Sequence, residues 1–199
     1  RVKNSYKSVA PKEEAQIVIF DTLDSNRMEI IAKTSSWNVQ QGCMLQWLGP
    51  DFTSKIIYND FRNGNFCSII YDIKEKHERI INMPVYSVSQ DGKFALTLDF
   101  TRLHKLRPGY GYSNIELISD DEKEIDYKCP NAPCIIFTDL CNNISHPILD
   151  YTDLYNFETK DSMKTAVHKV NHIMINPAGD RFMVLHRWIS SSKKFTRLV

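Results

Sequence analysis

Val85-Tyr-Ser-Val-Ser89-Gln-Asp-Gly92-Lys-Phe-Ala-Leu-Thr-Leu98 lines up with His172-Ile-Met-Ile-Asn176-Pro-Ala-Gly179-Asp-Arg-Phe-Met-Val-Leu185. In both stretches an apolar strand ends on a small polar residue. A four-residue turn follows with Gly in its last place, and a second apolar strand leaves it. Gly suits that place because hairpin loops of three to five residues usually need one position with positive φ. A weaker copy lies upstream, where Met44-Leu-Gln46-Trp-Leu-Gly-Pro-Asp precedes Lys55-Ile-Ile-Tyr58. A second recurring element supports the first: Ile19-Phe-Asp21, Ile70-Tyr-Asp72 and Phe137-Thr-Asp139 each close an apolar strand with Asp and lead through a polar turn into another strand.

Together these elements give a four-stranded unit, a–b–c–d, of about 43 residues, a period that in an all-β chain points to a propeller blade. The chain then reads as one β-propeller domain, or an arc of one, across residues 1–199. Strands c and d of one blade occupy 14–37, a complete blade fills 41–83, and a second fills 84–154 with a long insertion between strands b and c. A fourth blade begins over 167–199. Propellers usually close with four to eight blades, so the missing blades are expected from further sequence or from another copy. The start at Arg1 and the strand-like end over residues 195–199 agree with a partial chain. Several strands, such as Ile17-Val-Ile-Phe20 and Cys67-Ser-Ile-Ile-Tyr71, are apolar at successive positions, which predicts sheets covered on both faces. The best helical pattern is short, over 155–169, and polar on most sides.

Composition narrows the function classes. With 25 basic and 24 acidic residues the formal net charge is +1, which advertises neither nucleic acid nor an acidic membrane surface. No apolar run approaches the roughly 18 residues of a membrane span. Cys43, Cys67, Cys129, Cys134 and Cys141 fit no zinc spacing and read as reduced structural thiols, which with no visible signal segment tilts the expectation towards the cytoplasm. There is no Gly-x-Ser-x-Gly elbow, His-Glu-x-x-His or phosphate-binding loop. The run Ser119-Asp-Asp-Glu-Lys-Glu124 reads as a solvated loop.

Blade geometry puts the d–a and b–c connections on one face of the disc. Those connections carry Trp37 to Gln41, Val167 to His172, Asn59 to Asn65, Asp99 to Tyr112, and His186 to Trp188. Asn59, Asp99 and His186 end equivalent b strands, and each has an Arg within three residues: Arg62, Arg102 and Arg187. Arg pairs bidentately with a carboxylate, and aromatic faces stack on sugar rings, so this rim suits an acidic saccharide. Gln41, Asn59, Asp99, Tyr110, Tyr112 and Trp188 are the candidate substrate contacts. The loop Arg107-Pro-Gly-Tyr-Gly-Tyr112 either presents its tyrosines to a ligand or clamps a neighbouring blade. For His186-Arg187-Trp188 the alternative is a hydrogen-bonded His, an Arg paired with an acid and a packed Trp. His172 starts an innermost strand and either faces the channel or sits satisfied in the core.

The Ser-x-Asp-Gly hairpin at Ser89 to Gly92, with Trp37-Asn-Val-Gln-Gln-Gly42, Leu45-Gln-Trp47, Tyr58-Asn-Asp60, the segment from Arg102 to Tyr112, and Asn171-His172 with Leu185-His-Arg-Trp188, resembles the Ser-Pro-Asp-Gly repeat propellers of bacteria. Among these it looks most like the oligogalacturonate-lyase type. That resemblance implies an acidic oligosaccharide or polysaccharide as partner and, if the protein is an enzyme, its cleavage by β-elimination. It implies Arg187 or Arg102 on the carboxylate, His186 or His172 as base, and manganese held by His172 and His186 with further ligands. The competing expectation is a non-catalytic propeller scaffold that binds a protein.

Overall fold

Both repeated hairpins close in the same way. The Gly92 N–H donates to the Ser89 carbonyl (2.9 Å) and the Gly179 N–H to that of Asn176 (3.0 Å), with φ of +70° and +76°. Side chains finish each turn. Ser89 Oγ bonds Asp91 (2.7 Å), while Asn176 Oδ1 accepts from the N–H groups of Asp180 and Arg181. These local bonds are what Ser, Asn and Asp offer a turn, and they fix the register of the strands that follow.

The computed structural model describes residues 14–24, 27–114, 128–191 and 193–199. Its strands form four antiparallel sheets, each joining neighbours in sequence. β1 (Ala15–Phe20) pairs with β2 (Met28–Thr34). β3 (Gln46–Trp47), β4 (Lys55–Arg62), β5 (Asn65–Asp72) and β6 (His77–Ile81) form the second sheet. β7 (Ser87–Val88), β8 (Phe94–Thr97), β9 (Pro133–Asp139) and β10 (Ile144–Asp150) form the third. β11 (Val167–Ile175), β12 (Phe182–Ser190) and β13 (Lys193–Leu198) form the fourth. The molecule is therefore mostly β, and no sheet closes on itself.

The sheets stack in chain order through separate apolar layers. In the second sheet Ile56, Tyr58, Cys67 and Ile69 meet Ile17 and Trp37 on one side. Ile57, Ile70 and Ile81 meet Val85, Ala95 and Leu140 of the third on the other. The third sheet turns Leu96 and Ile135 to Val170, Ile173 and Val184 of the fourth. Successive residues of β4 thus enter different layers, which is why that strand is apolar at consecutive positions.

Among the described residues helices occur only in the connections. α1 (Phe100–Leu106), inside the long insertion, was not evident from periodicity. Asp99 caps it by accepting the Arg102 N–H (2.9 Å), and Phe100 and Leu103 enter the core. The pattern over 155–169 is not one helix. α2 (Tyr151–Asn156) starts earlier behind an Asp150 capping box, a single 3₁₀ turn covers Asp161–Met163, and β11 has begun by Val167. All five cysteines are free. No helix among the described residues is long and apolar enough to cross a membrane. The acidic run at 119–124 lies outside the described residues.

Candidate functional site

β11 carries a bulge, and the site is organised around it. The register with β12 shifts between Asn171 and Met174, and His172 takes φ +56°. A non-glycine residue in that region is uncommon and is held there by its surroundings. Here the His172 N–H leaves the ladder and donates to Tyr86 Oη (2.9 Å), while the His172 side chain stays exposed. Gln41, from the loop before β3, places its Nε2 2.6 Å from the same hydroxyl. Tyr110 sets its ring edge-on to the His172 imidazole at 6.2 Å, and the Arg107 guanidinium stacks 4.1 Å above the Tyr110 ring. Asn38 anchors that loop by donating to the Tyr110 carbonyl (3.0 Å). Connections distant in sequence therefore converge on one hydroxyl, that of Tyr86.

The electrostatics of this region have one sign. Lys169 of β11 faces Arg187 of β12 as a direct register pair, and Asn171 lies two residues along the same side of β11. Lys169 is only 5% exposed, yet among the described residues no carboxylate bonds it or Arg187. Burial, then Arg107, Arg187 and Lys194, push the Lys169 ammonium down to about 8. Burial, Arg187 and Arg107 likewise lower His172 and keep its ring neutral at neutral pH. Three polar groups beside these cations are buried without a partner among the described residues: Gln41 Oε1, Arg187 Nε and both ends of the Asn171 carboxamide. Buried polar atoms are rarely left unpaired, so these mark unmet bonds beside the cations.

Of the residues singled out in the sequence, Gln41, Tyr110, His172 and Arg187 meet here. The others are held in the framework. Asn59, fully buried, donates to the Val85 carbonyl and Tyr112 Oη and accepts the Val85 N–H, joining the second sheet to the third. Tyr112 stacks on Phe100 at 4.3 Å inside the core. The glycine-rich loop thus divides, with Tyr110 half-buried at the edge of the core and Tyr112 wholly inside it. Gly111 is required because a Cβ there would run into the Phe100 carbonyl and the backbone of His104. Asp99 is the cap of α1. Arg102 is buried, donates to the carbonyls of His168 and Lys128, and lies over the Tyr151 ring. Trp188 donates to Ser162 and stacks on Phe195.

His186 is buried with both ring nitrogens engaged. Arg197 Nε donates to its Nδ1 (3.1 Å), so its proton sits on Nε2 and is given to His168 Nδ1 (2.8 Å). No lone pair remains on His186 for a metal. Among the described residues no three His, Cys, Asp or Glu side chains gather in a way that would hold one. The described donor set therefore does not fit manganese on His172 and His186.

Tyr86 and Lys169 were not singled out by sequence, and Arg107 and Asn171 stood in quoted stretches without a role of their own. One signal was available: a lysine in the middle of the apolar strand pattern around Val167 and Val170 needs a reason to be there.

No protein family model matches the chain, and no curated protein matches it. Among solved structures, TolB from Acinetobacter baumannii is similar at 14% identity with a TM-score of 0.47; the match covers 92% of this chain and 36% of that one. This chain thus spans little more than a third of that protein's length.

Proposed function

We propose that the chain is an arc of a β-propeller that binds an acidic oligosaccharide on the face carrying Gln41, Tyr110 and His172. The observation that carries this reading is the pairing of Lys169 with Arg187 across β11 and β12, beside Arg107, with no acidic partner among the described residues. A uronate carboxylate would supply the missing charge, with Arg187 giving a planar pair of N–H donors. The half-buried Tyr110 ring offers the sugar the face that Arg107 does not cover, and Gln41 lies at the edge of the same region. The stacking of antiparallel sheets in chain order supports the propeller arc, and further blades would come from more sequence or another copy.

Cleavage of such a ligand by β-elimination would need a base near the carbon that bears the carboxylate. His172 suits that role, with its side chain exposed and its basicity lowered by partial burial and then by Arg187 and Arg107. It would take the proton α to the carboxylate while Arg187 balances the charge growing on that group. The C–O bond to the next sugar then breaks, leaving a double bond, and the departing oxygen takes a proton from the protonated His172 or from water to become a hydroxyl.

Titration calorimetry with galacturonate oligomers against neutral galactose oligomers tests the binding. Binding is expected for the uronates alone, to weaken with salt, and to fall about tenfold or more in Arg187→Ala, which corresponds to ~1.4 kcal/mol. Equal behaviour of charged and neutral sugars would sink it and favour a protein-binding scaffold. Ultraviolet absorbance of an unsaturated uronide, lost in His172→Ala, reports the cleavage.

A further inference from the structure

Lys169 carries an amine in unusual surroundings. It is almost wholly buried on a strand, faces Arg187 in register, and shares its side of β11 with the unpaired Asn171. Its role as a mere counter-charge is unnecessary, because Arg187 and Arg107 already provide fixed cations. We propose that Lys169 is a nucleophilic amine that condenses with the carbonyl group of a small oxo acid whose carboxylate is held by Arg187 and Arg107. The inference rests on the anion-binding reading of the same site and adds a covalent step to it.

A lysine desolvated next to other cations is the usual way a protein makes an amine nucleophilic near neutral pH. The Lys169 amine, brought to about 8 by burial and by Arg107, Arg187 and Lys194, has that environment. In the step, the Nζ lone pair forms a C–N bond to the carbonyl carbon and gives a carbinolamine. Its C–O bond then breaks, one water leaves, and an imine remains; nothing is oxidised or reduced.

The probe is glyoxylate with cyanoborohydride as external reductant. Hydride from the borohydride reduces the imine and leaves a stable carboxymethyl group on the amine. At about pH 7.5 Lys169 should be labelled at least tenfold faster than the exposed Lys74 and Lys93, as read by peptide mass spectrometry. Arg187→Gln should slow Lys169 labelling about tenfold. Formaldehyde, which has no carboxylate, should label Lys169 with a much smaller dependence on Arg187, one that reflects only the loss of a cation beside the amine. Lys169→Arg, checked for its fold by circular dichroism, should lose the adduct. Labelling of Lys169 no faster than Lys74 and Lys93, in protein that still binds uronate by calorimetry, would overturn the amine proposal and leave the binding site standing. Failure of the wild-type protein to bind any carboxylate would overturn the binding reading itself.

Discussion

His168 and His186 form a directional chain. Arg197 donates to His186, His186 to His168, and His168 Nε2 to the Met163 carbonyl (3.1 Å). Each ring gives one proton and accepts one, so the chain is satisfied only while both rings are neutral. A second proton on either ring would point two donors at each other or at the guanidinium. Burial, His168 and Arg197 accordingly lower His186 to about 3, and burial is the first cause that lowers His168. In the unfolded chain both titrate near 6.5. Below that value the unfolded state takes up protons that the folded state refuses, so stability falls as the pH drops from 6.5 towards about 3, and is unaffected above it. Urea unfolding at about pH 7 and about pH 5, a range above most carboxyl titrations, reads this effect. The wild type should lose on the order of 2 kcal/mol between the two, and a His168→Phe, His186→Leu double variant should lose much less. Equal losses in the two proteins would show that the rings do not exclude the proton.

The two repeated hairpins look interchangeable in sequence and are not interchangeable in the packed molecule. Gly92 and Gly179 both need positive φ, so alanine at either costs about 1–2 kcal/mol from the backbone alone. A methyl on Gly179 would only touch the Phe94 ring at 3.4 Å, whereas one on Gly92 would run into the Gly49 carbonyl of the adjoining sheet's hairpin. Gly92→Ala should therefore destabilise by at least ~2 kcal/mol more than Gly179→Ala, measured from urea midpoints, and equal costs would mean the sheets part easily there. The comparison also shows what could be read from sequence. Turn chemistry is local, so Ser89 to Gly92 and Asn176 to Gly179 announced both hairpins, and the apolar run in β4 announced a sheet covered twice. α1 escaped because seven residues hold too few turns to display a period, and its cap, Asp99, was read instead as a rim ligand. The site was half legible for a similar reason. Sequence shows which residues share a connection, so Gln41, Tyr110 and His172 could be grouped on one face. Whether a side chain turns outward or inward depends on partners far along the chain, which separated Tyr110 from Tyr112 and put Asn59 and His186 into the framework. Lys169 and Arg187 meet only through the pairing of β11 with β12.

Among the described residues the apolar layers join chiefly sheets that follow one another in sequence, so the arrangement is close to one-dimensional, like a stack of repeats. The two ends of the stack are less well covered than its middle. β1 and β2 leave Phe20, Met28 and Ile30 more than half exposed, and the last sheet leaves Met174 and Leu198 so. Ile57, Ile69, Ala95 and Ile135, from the two inner sheets, are wholly buried. If stability follows burial, opening should begin at the ends, and amide exchange should be slowest in β4, β5, β8 and β9 and fastest in β1, β2 and β13. The nearest-neighbour arrangement sharpens this into a test. Ile17, 4% exposed, belongs to the layer between the first two sheets. Ile17→Ala should remove about 2–4 kcal/mol of packing from that layer alone. Exchange in β1 and β2 should then quicken at least tenfold, while exchange in β8 and β9, measured by mass spectrometry on the same sample, stays within about twofold of wild type. Uniform quickening across all four sheets would mean that the stack unfolds as one unit and that its layers are coupled well beyond their contacts. Local quickening would mean that each sheet depends chiefly on the layers it touches, so that the β11–β12 face bearing Lys169 and Arg187 keeps its geometry when the far end of the stack opens.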